Sequence, residues 1–460
     1  MRIRTKTAVA AFIASALATT SSLAAEVTTQ MTADQGYGAN PKLPAPDKSL
    51  IPTVNIAEAK PWAIDEAPTP AKGLAVARFA CGLDHPRWLY VLPNGDVLVA
   101  ETNGPERAGD DKGIRAFFQD RAMKKAGADV PSANRITLLR DANSDGEPEI
   151  RTKFIEGLNS PFGMALVGKN LYVANTDAIV RFNYEPGATE IKQRGMKFVD
   201  LPGGPINHHW TKNLIASPTG EKLYATVGSN SNAAENGIEV EDKRASILEI
   251  DRATGEMRVF ASGLRNPNGM DWQPQSGVLW TVVNERDELG NNLVPDYLTS
   301  VQDGGFYGWP YSYFGKNVDE RVEPQRPDLV EKALVPDYGL GSHTAALGLV
   351  FYDASLLPDK YRNGAFIGLH GSWNREPRSG YKVIFVSFAN GRPIGLPEEV
   401  LGGFIGPKGE ARGRPVGVAV SHDGALLVAD DVGNCIWRVT PAESQVSQAA
   451  NASASGAATR

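Results

Sequence analysis

"LDHPRWLYVLPNGDVLVAETN" occupies residues 83–103 and sets out a unit: a polar cluster, a short apolar strand, a glycine turn, a second apolar strand and another polar cluster. The same order returns in "LNSPFGMALVGKNLYVANTD" (158–177) and "HHWTKNLIASPTGEKLYATVGSNSN" (208–232). It returns again in "LRNPNGMDWQPQSGVLWTVVNERD" (264–287), "HTAALGLVFYDASLLPDKYRNGAFIGLHGSWN" (343–374) and "RGRPVGVAVSHDGALLVADD" (412–431). Asn94-Gly95, Thr219-Gly220, Ser276-Gly277 and Asp423-Gly424 have hairpin-turn chemistry. Further strand-like segments such as "AIVRFNY" and "SILEIDRATGEMRVF" stand behind the hairpins. Six such units predict an all-β chain folded as a six-bladed β-propeller over residues 73–441, because a four-stranded blade has two faces to bury and cannot bury them alone. An irregular β-sandwich or a pair of barrels is the alternative.

An antiparallel hairpin returns the chain to the edge where it began. The residues before each first strand and after each second strand therefore share one face of the disc and converge on its axis. Leading in are Asp84-His85, Asn159-Ser160, His208-His209, Arg265-Asn266, His343-Thr344, and Arg412 with Arg414. Leading out are Glu101-Thr102-Asn103, Asn175-Thr176-Asp177, Ser229-Asn230, Glu285-Arg286-Asp287, His370 to Asn374, and Asp430-Asp431. Of the six histidines, five fall on this rim, and His422 falls on a tip of the other face. Imidazoles, guanidiniums and carboxylates at one concave mouth make a candidate active site. A histidine there can accept a proton from a hydroxyl, and arginines can hold planar carboxylates.

The remaining chain sets bounds. Its 460 residues are 42% hydrophobic and 22% charged, the composition of a globular protein. A formal charge of −6 argues against nucleic acid as a partner. Arg2, Arg4 and Lys6, an apolar run from Ala8 to Ala18 and small residues up to Ala25 read as a secretory signal over 1–25, although a retained anchor would share the pattern. The run is too short for a comfortable membrane span. This address predicts a periplasmic or secreted protein. Residues 26–72 are rich in Pro, Ala and Lys and read as an extension lying on the domain; "DKGIRAFFQDRAMKKAGADV" reads as a small helical insertion; 442–460 read as a disordered tail. Two cysteines exclude a four-cysteine zinc or iron–sulfur site. Cys81 opens the first unit and Cys435 follows the last, so a bond between them would clasp the ring shut; two buried thiols are the alternative. No G-x-G-x-x-G follows a strand, no G-x-S-x-G elbow occurs and no C-x-x-C-H is present.

"GLDHPRW", "HHW" followed by "SPTGEKLYATVGSNSN", "GLRNPNGM", "VNERDELG", "GGFYGWPY", "LHGSWNR" and "GRPVGVAV" resemble the glucose/sorbosone dehydrogenase family, in its sorbosone dehydrogenase-like branch. These are exported propellers that oxidise sugars with pyrroloquinoline quinone. The resemblance implies that His209, with His208 beside it, takes the proton from the sugar's anomeric hydroxyl. It implies cofactor-binding roles for Arg265, Asn266 and Asn230, for Arg412 and Arg414 as carboxylate holders, and for His370 or Arg375 over the cofactor. It implies that backbone carbonyls of Glu285, Arg286 and Asp287 face a cofactor Ca²⁺, and that electrons pass on to a quinone or a cytochrome. Two departures stand out: His208 replaces the family's Asp before the base, and "ERD" replaces a Gly-Pro pair.

"DANSDGEPE" sets Asp141, Asn143, Asp145 and Glu149 at spacings that suit a structural Ca²⁺ loop, and equally a metal-free acidic turn. Two other function classes stay open. A calcium-dependent lactonase-like hydrolase would gather Glu101, Asn175, Asn230, Glu285 and Asp430 on one central metal. A non-catalytic binding propeller would have no use for the histidines.

Overall fold

The computed structural model describes residues 31–47, 53–105, 124–127 and 129–442. The expected signal over 1–25, most of the helical insertion and the tail from 443 lie outside the described residues.

Six antiparallel sheets form the blades of a propeller. Blade one runs Pro86–Val91, Val97–Glu101, Arg135–Arg140, Ile150–Ile155; blade two, Met164–Val167, Asn170–Ala174, Ala178–Asn183, Met196–Asp200; blade three, Leu214–Ala216, Lys222–Val227, Ser246–Asp251, Met257–Ser262. Blade four comprises Asn266–Trp272, Leu279–Asn284, Pro295–Ser300 and Tyr338–Ser342; blade five, Ala346–Tyr352, Gly364–Leu369, Lys382–Ala389 and Arg392–Gly402. Blade six has Pro415–Val420, Leu426–Asp430 and Cys435–Pro441, and takes its outermost strand, Leu74–Cys81, from ahead of blade one. The two chain ends of the ring are thus sewn into one sheet.

The sequence explains the packing. Strands inside a blade are apolar on both faces, since each face meets another blade. In Leu279–Asn284, Trp280 and Val282 pack toward blade five while Leu279 and Val283 pack toward blade four's other neighbour, blade three. Leu426 and Val428 face blade five, and Leu427 and Ala429 face blade one. Six hydrophobic clusters fill the six gaps between blades. Near the axis the inner strands touch backbone to backbone. A Cβ on Gly163 would lie 2.1 Å from the Leu214 nitrogen, on Gly269 2.6 Å from the Leu347 oxygen, and on Gly348 2.3 Å from the Val416 oxygen. The P-x-G of "SPFG", "NPNG" and "RPVG" is therefore an axial-contact signal. In blade three Asn213 stands there instead and donates its Nδ2–H to the Asn268 carbonyl of blade four, at 3.1 Å.

Cys81 and Cys435 are bonded. They face each other across the closing strand pair, so the clasp lies within blade six rather than between first and last blades. The segment read as a separate extension adds strands to two blades: Tyr37–Gly38 beside Tyr338–Ser342, and Thr69–Pro70 beside Arg392–Gly402. Between them it crosses the rim, where Trp62 packs edge-on against Phe404 and Trp437 and donates its indole N–H to Asp430 at 2.8 Å.

Candidate active site

The rim residues form two linked clusters. Around Asp431 gather Arg87 at 2.7 Å, His370 Nε2 at 2.9 Å and His85 Nε2 at 3.5 Å. Asp431 is buried. Burial alone would raise its pKa, but the flanking imidazoles and Arg87 drive it far below the carboxylate range. Burial holds His370 below the usual histidine value and brings His85 down to about 4. Arg87 also lies over the Trp210 ring, 5.7 Å from its centroid, which ties blade three into the cluster. Arg414 completes it: the guanidinium lies over Tyr381 at 5.0 Å, and its Nε and Nη2 are buried with no partner in the protein. Two arginines against one ionised Asp431, with orphaned donors, are a cradle for a bound anion. A polycarboxylated group such as pyrroloquinoline quinone fits that donor set.

The second cluster centres on Asp287. It accepts from Asn374 Nδ2 at 2.8 Å and faces His343 Nδ1 at 3.2 Å, with Arg265 Nη2 at 3.5 Å. Burial opposes its ionisation, yet His343 and Arg265 bring its pKa down to about 2. The other His343 nitrogen faces the Gly290 carbonyl at 2.9 Å. Both nitrogens of His343 thus meet acceptors, which favours the doubly protonated ring, and its pKa rises in spite of burial.

His209 stands beside this cluster. Its Nδ1 lies 2.7 Å from the Ser229 carbonyl, which can only accept, so Nδ1 carries the hydrogen and Nε2 keeps its lone pair. Burial first, and then Arg265, hold its pKa well below the usual value. A neutral imidazole with a defined tautomer is a ready proton acceptor. Gly228 makes room for it: a Cβ there would sit 2.3 Å from Asn266 Oδ1 and 2.4 Å from His209 Cβ. Beneath the loop, fully buried Lys212 reaches the His209 and Trp210 carbonyls at 3.3 and 3.1 Å.

Several expected residues stand elsewhere. Arg412 is paired with Glu66 of the N-terminal extension and with Glu410 at 3.4 Å, so it does not share the cradle with Arg414. Arg375 spends its guanidinium on Asn291, Asn292 and Pro377 and clamps a loop. His208 is exposed beside the buried cluster. Asn230 and Asn266 are buried at the rim, each with Oδ1 unpartnered. The backbone calcium site is not supported. Arg265 Nη1 donates to the Glu285 carbonyl at 2.8 Å, and the Asp287 carbonyl accepts from Asn232 and Arg321, so guanidinium groups hold two of the three carbonyl oxygens expected to face a dication. The Arg286 side chain turns into the core, against Glu285 and Asp319.

The central metal of the hydrolase alternative is not assembled either. Glu101 accepts from Arg135 and Thr137, Glu285 from Arg286, and Asp430 from Trp62 and Trp437. Among the described residues, the carboxylates that converge are Asp141, Asp145 and Glu149, whose ligand oxygens lie within 4.8 Å of one another at the outer hairpin of blade one. Asn143 bonds Asp145 there, and backbone N–H groups already fill much of the loop's acceptor capacity. Sequence reasoning did not single out Arg87, Trp210 or Lys212. Arg87 sits in the quoted "DHPRW", but inside the inner strand rather than ahead of it.

The pattern of the TrAA12-like family matches residues 68–297 and 330–442. An uncharacterized protein of Borreliella burgdorferi is 30% identical over 293 residues, 61% of this chain and 76% of that protein. The aldose sugar dehydrogenase YliI of Escherichia coli is 27% identical over 152 residues, 33% of this chain and 38% of its own. In three dimensions the chain is similar to the PQQ domain of pyranose dehydrogenase from Coprinopsis cinerea, with a TM-score of 0.65 at 20% identity, covering 82% of this chain and 97% of that domain. It is also similar to the PQQ-bound aldose sugar dehydrogenase of Streptomyces coelicolor, with a TM-score of 0.53 at 16% identity over 81% and 99% of the two chains. A family pattern that runs through all six blades, on a shared fold, decides the classification: the chain belongs to the TrAA12-like family.

Proposed function

We propose that the protein is a pyrroloquinoline quinone-dependent sugar dehydrogenase that oxidises C1 of an aldose or a sorbosone-type sugar outside the cytoplasm. The observation that carries this reading is the pairing of an anion cradle with a neutral base: Arg414 and Arg87 around Asp431, and His209 with its free Nε2. Bound in the cradle, the quinone would supply the hydride-accepting carbon. Arg414 and Arg87 would hold its carboxylates. His209 takes the hydroxyl proton at Nε2 as the C1–H hydride leaves, which converts the C1 carbinol to a carbonyl. Burial and Arg265 keep the ring neutral before the sugar arrives, and after the oxidation the imidazolium returns its proton to solvent water, which restores the base. Relatives named for PQQ-dependent or aldose-dehydrogenase activity support the reading.

The test is to add pyrroloquinoline quinone to the purified protein, with and without Ca²⁺, and to offer aldoses or sorbosone with an artificial acceptor dye. Quinone-dependent dye reduction is expected. No reduction with any sugar, or lactone cleavage without quinone, would reject the reading. The calcium arm covers the loop Asp141, Asn143, Asp145 and Glu149.

A further inference from the structure

Two buried cations, Lys212 and Arg244, lie under the loop that carries His209. Their hydrogen bonds go to uncharged oxygens. Lys212 Nζ meets the Trp210 carbonyl at 3.1 Å, the His209 carbonyl at 3.3 Å and Asn207 Oδ1 at 3.5 Å, three acceptors for the three hydrogens of an ammonium. Arg244 Nη1 donates to the Gly228 carbonyl at 3.1 Å, and Nη2 to the Pro202 and Gly203 carbonyls at 3.1 and 2.5 Å. Nη2 also reaches Asn207 Oδ1 at 3.0 Å, so one oxygen accepts from both cations. The Asn207 amide in turn donates to Thr176 Oγ1 at 2.7 Å, and Thr176 donates to the Trp210 carbonyl at 2.9 Å. Asp177 and Glu241 act on the two cations only from a distance, and burial pushes both pKa values down.

Burying a cation without a counter-charge is costly, and an apolar side chain of similar volume would fill the space at less cost. What the two cations contribute is the alignment of two backbone segments. Lys212 grips 207–210, which carries the base. Arg244 grips Gly228, whose neighbour Ser229 offers the carbonyl that keeps the hydrogen on His209 Nδ1. That 2.7 Å bond crosses from one segment to the other, so a shift of either loosens it. Ser229 Oγ stands 3.2 Å from the same nitrogen, and a hydroxyl can donate as well as accept. A small retreat of the carbonyl would therefore admit the opposite tautomer, with Nε2 carrying the hydrogen and no lone pair left for a substrate proton. We propose that Lys212, together with Arg244, is a positioning residue for the base: the two cations hold the His209 and Ser229 segments in the one register that leaves Nε2 unprotonated. This deepens the sugar-oxidation reading above, from which the role of His209 as base comes.

Imidazole nitrogen NMR of the quinone-free protein with isotope-labelled histidines tests it, independently of turnover. The His209 signals are those lost in His209→Gln. In the wild type they should report one neutral tautomer, with widely separated Nδ1 and Nε2 shifts. Lys212→Met keeps the volume and loses the bonds. Its His209 shifts should converge as the tautomers mix, while the signals of His343 and His422 stay in place. Asn207→Ala removes the shared acceptor, should move the shifts in the same direction, and decides the matter if Lys212→Met does not fold. In dye reduction by the reconstituted protein, kcat of Lys212→Met should fall by roughly 10²-fold, with a smaller change in the sugar KM. Mixed tautomers already in the wild type, unchanged His209 shifts in the folded variant, or equal movement of every histidine signal would overturn the proposal. Converging shifts in a protein whose wild type reduces no dye would keep the positioning role and reject the oxidation reading. Unchanged shifts beside an active wild type would do the reverse.

Discussion

At the scale of single residues the proposed chemistry turns on His209. Its tautomer follows from a neighbour that can only accept a hydrogen bond, and its neutrality from burial beside Arg265. His209→Ala should lower turnover by roughly 10²-fold or more while quinone affinity stays within a few-fold, read by steady-state dye reduction and by quinone titration. Unchanged turnover would remove His209 as the base. Buried imidazoles also set an acid limit on the fold. His85, His209 and His370 titrate below their ordinary value in the folded protein, His85 at about 4. Between about 6.5 and 4 these imidazoles therefore bind protons in the unfolded chain that they refuse in the folded one, and their contribution to stability falls as pH falls through that window. His343 acts in the opposite direction, because its folded pKa is raised, and so do Asp271, Asp296 and Asp430, whose burial lifts them to about 7, 6 and 6. The net slope depends on both sets, so the test is a difference: His85→Gln should be less destabilised relative to wild type at about pH 4.5 than at about pH 7.5, read as the melting-temperature difference between the two proteins, and an equal difference at both pH values would contradict the burial account.

The inner strands decide the geometry at the scale of elements. Where Gly348 meets the Val416 carbonyl there is no space for a methyl group. Gly348→Ala should destabilise the protein by about 2 kcal/mol or more, visible in chemical denaturation, and should weaken quinone binding because blades five and six carry His370 and Arg414. The hairpins were legible in the sequence because both of their signals are local: turn glycines, with Gly95 and Gly424 at φ of 90° and 92°, and continuous apolar strands. The rim was legible for the same reason, since leaving and returning at one edge is a property of a hairpin. What each rim side chain does was much less legible. Arg412 and Arg414 are two residues apart, yet Glu66, far away in sequence, captures the first and leaves the second for a ligand. The carbonyls of "ERD" read as free ligands until Arg265 and Arg321 are seen to hold two of them.

Ring closure is the decisive fact for the whole molecule. The six units suggested that Cys81 belongs to the first blade, since it precedes the first hairpin. Its strand in fact completes the last blade, because closing a ring is a tertiary event with no local mark. A bond spanning 354 residues of sequence restrains the unfolded chain strongly. In the chain-entropy view it contributes roughly 6 kcal/mol. Reduction, or replacement of both cysteines by serine, should lower the melting temperature by several degrees at least and leave the quinone affinity of the folded protein intact. Loss of quinone binding at full folding would show that the clasp acts on the site directly.

The central claim is that a buried cationic cradle on the propeller axis holds a carboxylated quinone next to a neutral base. Titration of pyrroloquinoline quinone into the quinone-free wild type and into Arg414→Gln, followed by quinone absorbance, tests it most directly. The account expects saturable one-to-one binding in the wild type, with affinity about 10²-fold weaker in the folded variant. Equal affinity in both, or no binding to the wild type, would contradict it.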